Sequence, residues 1–168
     1  SSDVCSSDLI SIFIINMGKN MDSSLKYGNL LLTTDFSDLS ARAIPHAVSI
    51  ARKYKSKIYI LHVLEPILSP VEYSWGSVQV EQIEDSRHSN ADKNLLKWCD
   101  EQLSEDLDTR ILIRKGNAVT EIISVIEEFD INMVFMATHG HTGISHVIFG
   151  STTSQILKKS PIPVLSIR

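Results

Sequence analysis

The residues whose types and spacing could do chemistry cluster between positions 137 and 153, ATHGHTGISHVIFGSTT. Gly150 is followed by Ser151, Thr152 and Thr153 at the start of a stretch patterned as a helix. A helix N-terminus presents unpaired N–H groups and partial positive charge. A glycine lets the backbone approach a ligand closely and the hydroxyls add donors, so the segment suits a phosphate. Gly140 and Gly143 would let the preceding loop turn back over the same anion. The same composition also serves an ordinary glycine turn before a capped helix, and spacing alone leaves both readings open. It is not a Walker loop, because no Gly-Lys-Ser or Gly-Lys-Thr follows the glycines. Nor is it the dinucleotide fingerprint, which follows a first strand.

Other side chains have competing uses. Asp35 closes an apolar run and suits a general base, a metal ligand or a partner for loop amides. His139, His141 and His146 lack the i, i+4 spacing of paired ligands on a helix and have no cysteine near them, which argues against zinc. A place beside a phosphate fits His139 or His141 better. His62 sits in an apolar run and reads as a core histidine, and Cys99, next to Trp98, reads as core packing. Tyr73 and Trp75 could stack on a base, meet a partner or pack a loop. Residues 140–153 contain neither Lys nor Arg to stabilise charge developing in phosphoryl transfer, so efficient catalysis is not expected.

The elements that position these groups alternate. Short apolar runs at 29–34, 57–63, 109–114, 132–138 and 163–167 read as strands, the second apolar on both faces as a buried parallel strand should be. Between them lie helical patterns at 37–54, 79–103, 118–129 and 151–158. Ser37 is a candidate N-cap, and Pro45 should bend its helix near 41–44. The inward face of 79–103 is expected to carry Ile83, Ala91, Leu95 and Trp98. Residues 64–78, with Pro66, Pro70 and Gly76, form a long loop. Strands separated by helical crossovers imply a doubly wound parallel sheet, and ligands of such sheets bind beyond the carboxyl ends of the strands.

Length and composition narrow the class further. A chain of 168 residues, 43% hydrophobic and 21% charged, suits one domain with its own core. Two cysteines suggest a reducing compartment, the cytoplasm. A net charge of −4 with no basic block argues against a nucleic-acid surface, and the apolar runs are too short to span a bilayer. Residues 1–9 (SSDVCSSDL) match a translated sequencing-adapter oligonucleotide, and 10–16 (ISIFIIN) read as read-through ahead of a start at Met17 or Met21. Residues 1–16 are therefore expected to lie outside the fold. They lack the basic region and cleavage site of a signal peptide.

From about position 29 to the end the chain resembles the universal stress protein family. The resemblance rests on LLTTDFSDLSARAIPHAVSIARKY, IYILHV and ATHGHTGISHVIFGSTTSQILKKSPIPVLSIR. The family's nucleotide pattern, Gly-x2-Gly-x9-Gly-Ser/Thr, is met by Gly140, Gly150 and Ser151, with Ala137 in place of the first glycine. The resemblance implies a domain over 26–168 with five parallel strands in the order 3-2-1-4-5, an adenine nucleotide alpha hydrolase-like sheet. It also implies an ATP site. Thr33, Thr34 and Asp35 would lie by the ribose and adenine, Val63 would read the base edge with its backbone, and Ala137 would sit by the ribose. Gly140, Gly150, Ser151, Thr152 and Thr153 would hold the phosphates, with Mg2+ or Mn2+ bridging them. The implied function is an ATP-binding regulatory module of the stress response, at most a slow ATPase. It would be a homodimer paired through the strand at 163–167. The alternatives are a dimeric interaction protein without nucleotide and a self-phosphorylating protein.

Overall fold

The computed structural model describes residues 12–13, 27–66, 77–138 and 149–168. Its frame is a parallel sheet of β2 (Asn29–Thr33), β3 (Lys57–Leu64), β4 (Thr109–Lys115), β5 (Met133–Ala137) and β6 (Val164–Ile167). They lie side by side as β4-β3-β2-β5-β6, which is the expected 3-2-1-4-5 order. The register sets Leu30 beside Ile58 and Met133, and Phe135 beside Leu165. The strand order reverses between β2 and β5, so the switch point stands over their carboxyl ends.

Each strand alternates its side chains between two cores, because successive residues point to opposite faces. On one face Leu30, Leu32, Ile58, Ile60 and Phe135 pack with Ala43, Ala47, Ala51, Leu95, Trp98 and Cys99. Ala43 is the N-cap of α2 (Ile44–Tyr54), which carries Ala47 and Ala51, and the last three belong to α3 (Ser77–Gln102). On the other, Leu31, Tyr59, Leu61, Val134 and Met136 meet Val119, Ile122, Val125, Ile126, Ile156 and Leu157. Those side chains belong to α4 (Ala118–Glu128) and α5 (Ser151–Lys159). The expected inward residues Ala91, Leu95 and Trp98 of α3 are buried; the side chain of Ile83 lies outside the described residues.

The pattern at 37–54 is two helices rather than one bent helix. The first, α1 (Asp38–Ala41), is capped by Ser37, whose Oγ accepts from the Ser40 N–H at 3.1 Å. The chain then turns through Arg42 and Ala43 and α2 begins, with Pro45 in its first turn. Proline lacks an N–H and clashes with the carbonyl four residues back, so it is accommodated at a fresh start instead of within a helix.

The amino-terminal end departs from expectation. Ile12 and Phe13 form a short strand, β1 (Ile12–Phe13), antiparallel to β6 with Ile12 opposite Leu165 and Phe13 opposite Val164. Residues 1–16 are thus not wholly outside the fold, since two of them extend the sheet. The physical reason is the edge itself. β6 is buried and apolar, and its unpaired backbone accepts an apolar extended segment of any origin.

Candidate functional site

The carboxyl ends of β2, β3 and β5 open onto a cleft of about 480 Å³, completed by the first turns of α4 and α5 and by one residue of α3. At the β2 end the chain folds back on itself. Phe36 is held at φ 67°, a left-handed conformation uncommon for a bulky residue. Its N–H donates to Thr34 Oγ1 at 3.0 Å. Asp35 Oδ1 accepts from the Ser37 N–H at 3.1 Å and from its hydroxyl at 2.6 Å. Thr34 Oγ1 also meets Ser40 Oγ at 3.0 Å. This wiring fixes the Asp35 carboxylate at the cleft wall, so its bonding to loop groups and its place in the cleft coincide.

At the β3 end, His62, Val63 and Leu64 line the cleft. His62 Nδ1 lies 2.9 Å from the Thr34 carbonyl, and the ring stacks on Phe36 with centroids 4.2 Å apart. A carbonyl can only accept, so Nδ1 carries the proton. Burial is the main influence that pushes the His62 pKa below its ordinary value, opposed by the Thr34 bond and by Asp35, while Arg87 adds to the depression. Glu65 follows the strand, and its Oε1 accepts from the Ala118 N–H at 3.1 Å. Arg87 of α3 reaches the same corner, its Nη2 donating to the Glu65 carbonyl at 3.1 Å.

At the β5 end, Ala137 pairs with Ile167 in regular extended strand. Extended backbone admits any side chain, so the alanine fits where a glycine was expected without strain. Its carbonyl accepts from Thr153 Oγ1 at 2.9 Å. The Gly150 N–H donates to the Thr138 carbonyl at 2.7 Å, which closes the base of the excursion between them. Gly150 is the N-cap of α5, in extended conformation, and supplies no side-chain cap bond. The next residues, Ser151 and Thr152, face the cleft with hydroxyls and backbone donors at the positive end of the helix.

The structure therefore brings Thr33, Thr34, Asp35, Val63, Ala137, Gly150, Ser151, Thr152 and Thr153 to one cleft. Thr153 is buried and its hydroxyl donates to Ala137, so this side chain ties α5 to β5. Gly140, Gly143, His139, His141, His146, Tyr73 and Trp75 lie outside the described residues. Cys99 is buried in the core, where desolvation and then the Asp100 charge push its thiol up to about 11. Among the described residues no group of three or more His, Cys, Asp or Glu side chains could hold a metal, and no helix is long and apolar enough to cross a membrane. Sequence reasoning missed Glu65, Arg87 and Ala118. A charged residue directly after a strand and a long helix beside it were the available signals.

Comparison with known proteins agrees with the architecture. The model of the universal stress protein family matches residues 26–168. Universal stress protein MJ0531 of Methanocaldococcus jannaschii is 28% identical over 158 residues, covering 92% of this chain and 87% of that protein. MJ0577 from the same organism is 26% identical over 158 residues, covering 86% and 97%. The solved structure of MJ0577 superposes with a TM-score of 0.71 at 24% identity, over 84% of this chain and 95% of that one. UspA from Lactobacillus plantarum gives 0.66 at 21%, over 86% and 100%. A universal stress protein in complex with cAMP gives 0.54 at 19%, over 85% and 98%. With the family pattern, the sheet order and the match over residues 26–168 in agreement, this chain belongs to the universal stress protein family.

Proposed function

We propose that this chain is an ATP-binding, homodimeric regulatory module of the stress response, acting in the cytoplasm. The observation that carries the nucleotide reading is the start of α5. A helix N-terminus whose N-cap is Gly150, with no side-chain cap bond among the described residues, opens onto a cleft at the topological switch point. Ser151 and Thr152, with the Thr153 backbone, would hold the phosphates, Gly140 would form the opposite wall, and Mg2+ or Mn2+ would bridge the phosphate oxygens. Thr33, Asp35 and Ala137 would meet the ribose, and the Val63 backbone would read the adenine edge. A relative in complex with cAMP supports an adenine nucleotide on this fold. Regulation is favoured over catalysis by the absence of Lys and Arg from residues 140–153.

Thermal unfolding tests the site. ATP with Mg2+ at about 100 times its Kd should add roughly 2.7 kcal/mol of stability. For a domain of this size the melting temperature should rise by roughly 5–10 °C. Ala137→Gly should change the shift little, because β5 is extended there. No shift in either protein would overturn the nucleotide reading and leave a dimeric interaction module.

The dimer would pair β6 of one copy antiparallel to β6 of the other about a two-fold axis. Ile12 and Phe13 occupy this edge, so a second copy must displace a pairing of two residues. Deleting residues 1–16 should leave the melting temperature nearly unchanged and shift sedimentation toward dimer. Leu165→Lys should give monomers at micromolar concentration. A wild-type and shortened chain that both sediment as monomers would remove the dimer from the proposal.

A further inference from the structure

We propose that Arg87 of α3 is a base-side contact of the nucleotide site, its guanidinium lying against the purine held at the end of β3. The inference rests on the nucleotide reading above and adds a residue from outside the glycine motif. Arg87 is the single Lys or Arg among the described residues that line the main cleft. It belongs to a helix whose lower half packs on the other face of the sheet, through Leu95, Trp98 and Cys99. From Leu95 to Arg87 the helix climbs about 12 Å. That carries Arg87 to the strand ends, where it reaches over from the face opposite α4 and α5.

Two contacts define how it arrives. Its Nη2 donates to the Glu65 carbonyl, which orients the guanidinium at the cleft rim. The Glu65 carboxylate is turned instead to the Ala118 N–H. The contact between these opposite charges therefore runs through the backbone, and Arg87 does not spend its charge on Glu65. Past Arg87 the space continues as a notch of about 150 Å³ with Pro66, Lys115 and Gly116 on its walls.

The base, and not the phosphates, is the partner because of distance. The start of α5 stands at the end of β5, and β2 separates β5 from β3. Adjacent strands lie about 4.8 Å apart, so Glu65 and its tethered Arg87 are roughly 10 Å across the sheet from the phosphate end. The α5 N-terminus already supplies positive potential to the anion. A planar guanidinium beside a purine supplies stacking and a cation over a π face. The Arg87 charge also disfavours protonation of His62, which places it within electrostatic reach of the β3 end.

The test compares ATP, ADP and AMP by calorimetry on the full chain, as wild type, Arg87→Ala and Arg87→Met. Methionine keeps an apolar stem for packing and removes the charge. Both variants should weaken all three nucleotides by a similar factor, roughly tenfold, with little change in the melting temperature of the free protein. Unchanged affinity in both variants would overturn the inference while leaving the nucleotide site intact. A loss that grows with the number of phosphates would also overturn it, by making Arg87 a phosphate ligand. Wild type that binds none of the three defeats the nucleotide reading, and this inference with it.

Discussion

Two helices begin at the same end of the sheet and on the same face, and their first turns are finished differently. At α4, Asn117 Oδ1 accepts from the N–H groups of Val119 at 3.1 Å and Thr120 at 3.2 Å. Glu65 Oε1 takes the N–H of Ala118. The chain's own oxygens, one of them charged, satisfy the positive end. At α5, Gly150 contributes no side-chain cap. A helix leaves four N–H groups unpaired at its start, and capping them normally stabilises by about 1 kcal/mol. The α4 start is thus capped by side chains of the chain itself, while the N-cap of α5 is a glycine. Under the nucleotide reading proposed above, the contrast would set the phosphates toward α5 and the base toward β3 and α4.

The largest test of this contrast exchanges the two ends. Gly150→Val should abolish the whole ATP-dependent rise in melting temperature, because the side chain would occupy the approach to the α5 donors. The φ of −62° at Gly150 admits valine, so the free protein should melt nearly unchanged. Asn117→Ala should do the reverse. It should lower the stability of the free protein by about 1 kcal/mol and keep the ATP shift. If both variants lost the shift equally, the two helix ends would not differ in function. A smaller version is Ser151→Ala, which should weaken ATP by about 1 kcal/mol, one hydrogen bond's worth, without changing free stability.

The two helix ends also show what a sequence discloses. The α5 end was legible because its ingredients are contiguous, from Gly150 to Thr153, at a boundary between patterns. The strands and their order were legible because each short apolar run alternates with a helix, and crossovers force a parallel sheet. The α4 end was half legible. Asn117 stands where a cap should, but Glu65 comes from 53 positions away. No local pattern announces that pairing. Arg87 was hidden for a related reason. The apolar spacing of α3 reports the half that packs on the sheet, at Ala91, Leu95 and Trp98, and is silent on the half that rises above it. Length was the missed clue, since 26 helical residues reach about 39 Å and the 7 residues of β4 about 23 Å. The β1 pairing was missed because residues 10–16 were judged by origin and not by their affinity for an open edge.

The smallest effect concerns pH, and it separates the β3 end from both helix ends. Neither Asn117 nor Gly150 titrates. His62 does titrate in this range, and its folded pKa is depressed, chiefly by burial. The unfolded chain, with an ordinary histidine pKa of about 6.5, then binds more protons than the folded one below that value. The preference for neutral His62 is therefore fully satisfied above pH 6.5. Stability is lost as pH falls from there through the depressed folded value. His62→Gln can keep a donor for the Thr34 carbonyl and cannot take up a proton. Melting temperatures of wild type and variant should run parallel from pH 8 to 7, and wild type should drop relative to the variant between pH 6.5 and 5. A difference constant across the range would mean that His62 is as free to protonate in the folded chain as in the unfolded one. The β3 end of the cleft would then be wetter than the stacking on Phe36 and the bond to Thr34 imply.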